Sequence, residues 1–213
     1  MHQLYIQNTP PTSVQIGNEI DNGMLWPEKG QACEDSGSLS CPNNWKNLAS
    51  LLSAGLKGVA DVAHSFWAEI PLRMIHVAKM NGGTVNDVED WFRNYENNGG
   101  ASFEIIGLSF YGAWGAKLES ISSLKKLSQT FPGKQWILVE TSHPYYNVTG
   151  WNSPYPFTPQ GQVQFASAIT EAVKQNGGLG VYWWGTEYYN KHPSQWSSLW
   201  DSTAVALPAM QAF

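Results

Sequence analysis

The chain has 213 residues, 42% hydrophobic and 14% charged, which is long enough for one domain with its own core. Its net charge is −5 and no Lys/Arg run stands out, which argues against nucleic acid or an anionic membrane as partner. No apolar run approaches the roughly 20 residues that span a bilayer, and Met1-His2-Gln3-Leu4-Tyr5 lacks the basic and apolar regions of a signal peptide.

Five apolar runs read as strands. The first, Val14–Glu19, ends abruptly in Asn18-Glu19 and enters a loop, Asn22-Gly23-Met24-Leu25-Trp26-Pro27. A polar loop with Cys33 and Cys41 follows. It closes as a disulfide in an exported protein or keeps two free thiols in a reducing compartment, and neither Cys has the neighbours of a metal site. Trp45, Leu48, Leu51, Leu52, Leu56, Val59, Val62 and Phe66 recur at helical spacing. The second strand is Arg73–Lys79, with His76 inside it. Thr84 and Asp87 then open a helix through Val85, Val88, Trp91, Phe92 and Tyr95. The third strand, Ile105–Tyr111, precedes a helix over Leu118, Ile121, Leu124 and Leu127, stopped near Pro132-Gly133. The fourth, Trp136–Glu140, again ends in Glu. Thr158-Pro159 supply the cap and first position of a helix through Val163, Ala166, Ile169 and Val173. Gly177-Gly178 end it before the fifth strand, Leu179–Trp184.

Strands alternating with helices mean right-handed βαβ units and a parallel sheet. No linker divides the chain, so residues 1–213 are expected to form a single domain. Two architectures fit: an open doubly wound sheet and a closed (β/α)8 TIM barrel. No glycine-rich phosphate loop follows the first strand, and chemistry at several strand ends favours the barrel. Residues 1–12 cannot hold three more βα units. The expectation is an α/β, incomplete barrel of about five βα units.

Two strands that each end in Glu offer the carboxylate pair of glycoside hydrolysis. Most glutamates are solvated or ion-paired. The apolar runs behind Glu19 and Glu140 single these two out. The chain has 11 Trp, 9 Tyr and 8 Phe; most pack the core, and some are expected to stack on sugar rings. His76 on its apolar strand is either a satisfied core residue or a donor into the site.

Four blocks carry a family resemblance. They are Val14-Gln15-Ile16-Gly17-Asn18-Glu19-Ile20 with Gly23-Met24-Leu25-Trp26-Pro27; Ile106-Gly107-Leu108-Ser109-Phe110-Tyr111 with Trp114; Val139-Glu140-Thr141; and Pro156-Phe157-Thr158 through Gly161-Gln162 to Gly178-Leu179-Gly180-Val181-Tyr182-Trp183-Trp184. The chain resembles the endo-β-1,4-galactanases of glycoside hydrolase family 53, in the large clan of retaining barrel glycosidases. The resemblance implies that the five strands are strands four to eight of the barrel. It implies Glu19 as acid/base and Glu140 as nucleophile, with Glu19 needing a raised pKa and Glu140 staying ionised. It implies Asn18 on the sugar 2-hydroxyl, His76 near the carboxylates or substrate, Tyr111 orienting the nucleophile, and Trp184, Trp26 and Trp114 as sugar platforms.

The implied substrate is the β-1,4-galactan of pectin side chains, met outside the cell. The alternatives are a mannanase or cellulase of the same clan, or an inactive fragment that binds sugar or self-associates through open barrel edges. No cofactor is implied. Some family members hold calcium in the loop after strand seven; here that loop, His143 to Trp151, has no Asp or Glu, so no metal is expected. The chain departs from the family at Phe110, often Tyr; at Gly112, usually Pro; and at Gly185-Thr186-Glu187, usually Glu-Pro. Asn147-Val148-Thr149 forms a glycosylation sequon.

Overall fold

A computed structural model describes residues 1–28, 31–42, 44–188 and 192–212. In chain order the main elements are α1 (His2–Ile6), β1 (Ser13–Ile16), β2 (Gly23–Met24), β3 (Gly37–Ser38), α2 (Trp45–Ser65), β4 (Leu72–Val77), α3 (Val85–Asn97), β5 (Ile105–Ser109), α4 (Lys125–Thr130), β6 (Gln135–Thr141), α5 (Pro159–Gln175) and β7 (Val181–Trp183). β1, β4, β5, β6 and β7 form one parallel sheet in that order. Spatial order therefore equals chain order. A doubly wound sheet would reverse direction at a switch point; this one keeps turning the same way, as a barrel does. The result is a curled half-barrel of five strands with helices outside.

Strand parity divides the side chains between the two faces of the sheet. Ile75, Val77, Ile106, Leu108, Trp136 and Leu138 face the helices and join one core with Leu48, Leu52, Leu56, Val88, Phe92, Phe165 and Ile169. Their neighbours in sequence face the concave side: Gln15, Met74, His76, Gly107, Ser109 and Val139. The inner layer is packed against the backbone. A Cβ on Gly107 would lie 2.8 Å from Met74 Sδ and 3.3 Å from Val139 Cγ2. At the far end of the sheet, inward-facing Tyr182 on β7 is 61% exposed.

The helices start where their caps dictate. The Asp87 carboxylate accepts from both the N–H and the hydroxyl of Thr84, each at 2.7 Å. Thr158 Oγ1 accepts from Gly161 N at 3.0 Å, and Pro159 needs no partner at the first position. The helix expected from Leu118 departs from regular α geometry. Leu118–Leu124 is a 3-10 turn, and only Lys125–Thr130 is α-helical. The hydroxyls of Ser120, Ser122 and Ser123 donate to the carbonyls of Lys117, Glu119 and Ser120. Such three-back bonds compete with the α-helical pattern.

Cys33 and Cys41 are joined as a disulfide with Cα atoms 5.7 Å apart. This bond brackets β3, which pairs antiparallel with β2. At the N-terminal end of the sheet, away from the Glu19 loop, Arg73 Nε and Nη2 grip Glu104 at 3.0 and 2.7 Å. Glu104 also accepts the Arg73 N–H, so the fork pins β4 to the residue that precedes β5. No helix among the described residues is long and apolar enough to cross a membrane.

Candidate active site

β1 stops earlier than its apolar run. Gly17 takes φ +81° and Glu19 φ +47°, a left-handed backbone that is uncommon for any residue but glycine. Ile20 then bonds back to β4 through the His76 carbonyl at 3.1 Å. Two turns in three residues lift Glu19 off the strand and over the concave face. Backbone held this way concentrates at functional sites.

Glu140 arrives by a different route. It lies inside β6, which carries on through Thr141. Its carbonyl accepts from Phe110 N at 2.8 Å, and Thr141 Oγ1 donates to the Phe110 carbonyl at 2.6 Å. A carboxylate oxygen of Glu19, one of Glu140 and a ring nitrogen of His76 all lie within 4.8 Å of one another. The three could hold a metal by distance alone, but both nitrogens of His76 are engaged in hydrogen bonds.

Burial and the neighbouring Glu19 carboxylate push the Glu140 carboxyl above its ordinary pKa, and the Tyr111 hydroxyl pulls it back. Tyr111 Oη donates to Glu140 Oε2 at 3.0 Å. Burial, followed by the Glu140 charge, pushes the Tyr111 phenol up, so it stays a donor. No cation among the described residues contributes to Glu140. The physical cause of the upward direction is a carboxylate half-buried beside another carboxylate. His76 is fully buried, and burial pushes its imidazole down to about 4.

Seven of the eight expected residues converge. Asn18 Oδ1 lies 3.2 Å from His76 Nδ1. Tyr111 and Trp114 pack with ring centres 4.2 Å apart. Trp184 N donates to the Thr141 carbonyl at 2.8 Å, beside Glu140. Trp26 stands apart: it is 55% exposed in the loop after β2, with no hydrogen bond or ring contact to the other seven among the described residues. Phe110 is fully buried, and its neighbour Tyr111 is the residue that reaches the carboxylate.

Sequence reasoning missed four residues here. Trp151 and Trp196 complete an aromatic wall: Trp114 lies 5.6 Å from Trp151 and 6.2 Å from Trp196, Trp151 lies 4.6 Å from Trp196, and Trp196 lies 5.8 Å from Trp184. Ser109 and Gln15 link His76 to its surroundings. The available signal was polarity: Gln15, His76 and Ser109 are polar positions in otherwise apolar strands.

A cleft of about 490 Å³ opens beside Glu19, lined by Asp21, Asn22, Lys79 and Asn81 among others. A larger cavity of about 630 Å³ lies behind the Tyr111 loop, between Phe110, Leu118, Tyr155 and Phe165, and touches neither glutamate. Of the two, only the open cleft reaches a carboxylate of the pair, Glu19. The loop from His143 to Trp151 offers no carboxylate, so it does not fit a calcium ion, which favours several hard oxygen ligands.

The chain is 33% identical over 186 residues to a probable arabinogalactan endo-β-1,4-galactanase A of Aspergillus fumigatus, an alignment covering 80% of this chain and 47% of the relative. It is 28% identical to an arabinogalactan endo-β-1,4-galactanase of Cellvibrio japonicus, over 97% of this chain and 58% of the relative. The chain thus spans about half the length of the curated relatives it matches. Among solved structures, a fungal β-1,4-galactanase superposes with TM-score 0.80 at 26% identity, over 99% of this chain and 64% of that one. A family 53 catalytic domain from Ignisphaera aggregans superposes with TM-score 0.80 at 24% identity, over 99% and 60%. The sequence profile of glycosyl hydrolase family 53 matches residues 1–213, and the chain belongs to that family.

Proposed function

We propose that this chain carries the catalytic pair of a retaining endo-β-1,4-galactanase. One observation supports the reading above the rest: carboxylate oxygens of Glu19 and Glu140 lie within 4.8 Å of each other. Retaining glycosidases hold their carboxyls about 5–5.5 Å apart, and inverting ones leave room for a water between them.

In this reading Glu140 attacks the anomeric carbon. The C1–O bond breaks, and its electron pair goes to the leaving oxygen, which takes the proton of Glu19. A glycosyl ester on Glu140 results. Glu19, now a carboxylate, removes a proton from water as water attacks C1 and the ester bond breaks. Both carboxylates return to their starting states. Tyr111 holds Glu140 by its hydrogen bond. Asn18 would bind the 2-hydroxyl. Trp184 and Trp114, with Trp151 and Trp196 behind them, offer apolar faces to the C–H side of galactose rings. Trp26, 55% exposed, would serve a more distant ring. The substrate lies outside cells, which accords with secretion and with a Cys33–Cys41 disulfide.

The test is release of reducing ends from β-1,4-galactan, with mannan, xylan and cellulose as comparison. Galactan alone should be cleaved, and Glu140→Gln should lose at least about a thousandfold in rate. Full activity in the variant would refute the assignment. One observation favours a second reading. Among the described residues, β1 and β7 each pair with one strand only in the main sheet. Exposed edges recruit further strands, so the pair could work only after self-association or with further βα units in place. Galactan binding without cleavage by the purified chain would mark that case.

A further inference from the structure

Three side chains on the concave face connect His76 to Glu19 and to its surroundings. Gln15 Nε2 donates to the Gly17 carbonyl at 2.8 Å. A carbonyl only accepts, so this contact fixes the nitrogen of the amide on that side. The same nitrogen lies 3.2 Å from His76 Nδ1 and 3.3 Å from Asn18 Oδ1. Asn18 Oδ1 is itself 3.2 Å from His76 Nδ1. Nδ1 therefore has a donor and an acceptor at equal distance. Across the ring, Nε2 lies 2.8 Å from Ser109 Oγ, and Ser109 Oγ lies 2.6 Å from Glu19 Oε1.

Burial keeps the imidazole neutral, with its pKa near 4. A neutral imidazole donates from one nitrogen and accepts at the other. Its surroundings here satisfy either tautomer. A support needed in one state only would offer Nδ1 a donor or an acceptor, not both.

We propose that Gln15, His76 and Ser109 form a reversible hydrogen-bond relay whose direction follows the protonation of Glu19 and holds that carboxyl in one place in both states. With Glu19 ionised, Ser109 O–H donates to Glu19, His76 Nε2–H donates to Ser109, and Gln15 donates to Nδ1. With Glu19 protonated, its O–H donates to Ser109 Oγ, and the Ser109 hydroxyl turns to Nε2. Nδ1–H then donates to Asn18 Oδ1, which also takes the second proton of Gln15. The imidazole keeps one N–H and the serine one O–H throughout; the single added proton sits on Glu19.

The relay rests on the reading of Glu19 as acid/base, a role that requires both protonation states in every turnover. His76, Ser109 and Gln15 are positioning residues in it. The titratable groups facing Glu19 are Glu140 on β6 and Tyr111 after β5, with Asp21, Lys79 and Asp87 lining the cleft.

The experiment is nitrogen-15 NMR of the imidazoles in the whole chain, with His76 identified by its loss in His76→Gln, and Glu19 followed through its carboxyl carbon. His76 should be Nε2–H at neutral pH. Its preference should invert to Nδ1–H as Glu19 takes up its proton; the imidazolium cation has its own pattern, with both nitrogens protonated. In Ser109→Ala the tautomer should no longer follow Glu19, and Ser109→Thr should restore the coupling. A neutral ring that keeps one tautomer whether Glu19 is ionised or protonated would overturn the relay, as would inversion that persists in Ser109→Ala. The wild-type titration decides the matter even if a variant fails to fold. A single tautomer with galactan cleavage intact removes the relay alone; inversion with neither binding nor cleavage of galactan removes the galactanase reading alone.

Discussion

His76 makes the stability of this chain depend on pH in a direction that can be worked out. Its imidazole is fully buried, and burial lowers its pKa from 6.5 to about 4. In the unfolded chain the same ring titrates normally. Between those two values the unfolded state therefore binds more protons than the native one, and stability falls as pH falls. The linkage gives about 0.2 kcal/mol of lost stability at pH 7, about 2 kcal/mol at pH 5 and about 3 kcal/mol at pH 4. Urea unfolding at pH 7 and pH 5 measures the difference, with His76→Gln as reference. Burial also lowers the His143 pKa, which acts in the same sense. The raised carboxyl of Glu140 acts in the opposite sense, losing its contribution as pH rises. Both terms are common to the two proteins and cancel in the comparison. The wild type should lose about 2 kcal/mol more than the variant on going from pH 7 to pH 5. Equal losses would show that His76 is not held neutral, and would remove the basis for a single N–H on its ring.

Three further outcomes follow from local contacts. Tyr111→Phe removes the hydroxyl that lowers the Glu140 pKa, so the acidic limb of the kcat/KM profile should move to higher pH; an unmoved limb would deny Tyr111 that role. Reducing the Cys33–Cys41 bond opens a loop with a sequence separation of 8, and chain entropy puts the cost at about 2.5 kcal/mol; a denaturation midpoint indifferent to reductant would contradict this. Thr158→Ala deletes the α5 cap bond and should cost about 1 kcal/mol, read as a Tm fall of about 2–4 °C by calorimetry; no fall would mean that water replaces the cap.

The helices and the strand order were legible because their signals are local and repeated. The run from Trp45 to Phe66 and the helix Trp45–Ser65 nearly coincide, and the Thr84–Asp87 and Thr158-Pro159 caps sit where their side chains allow. The parallel sheet followed from alternation alone. Strand ends were less legible. Val14–Glu19 reads as one run, but Gly17 and Glu19 turn left-handed, and hydrophobicity does not encode φ. The two-residue strands of the β2–β3 hairpin are too short to show a period.

The carboxylates were visible because each terminates an apolar run. Trp151 and Trp196 were not, because they reach Trp114 and Trp184 from loops distant in sequence. Ser109 lay within a recognised block, yet a serine in a strand looks neutral until its hydroxyl is found between His76 and Glu19.

The central claim is that Glu19 and Glu140 act as a retaining pair, because their oxygens lie within 4.8 Å. The measurement that tests it most directly is proton NMR of the first anomer released from β-1,4-galactan, recorded before mutarotation. A retaining pair releases the β-anomer first, from two successive inversions at C1 through a Glu140 ester. The α-anomer first would mean one displacement by water, and would contradict the pairing of these two carboxylates.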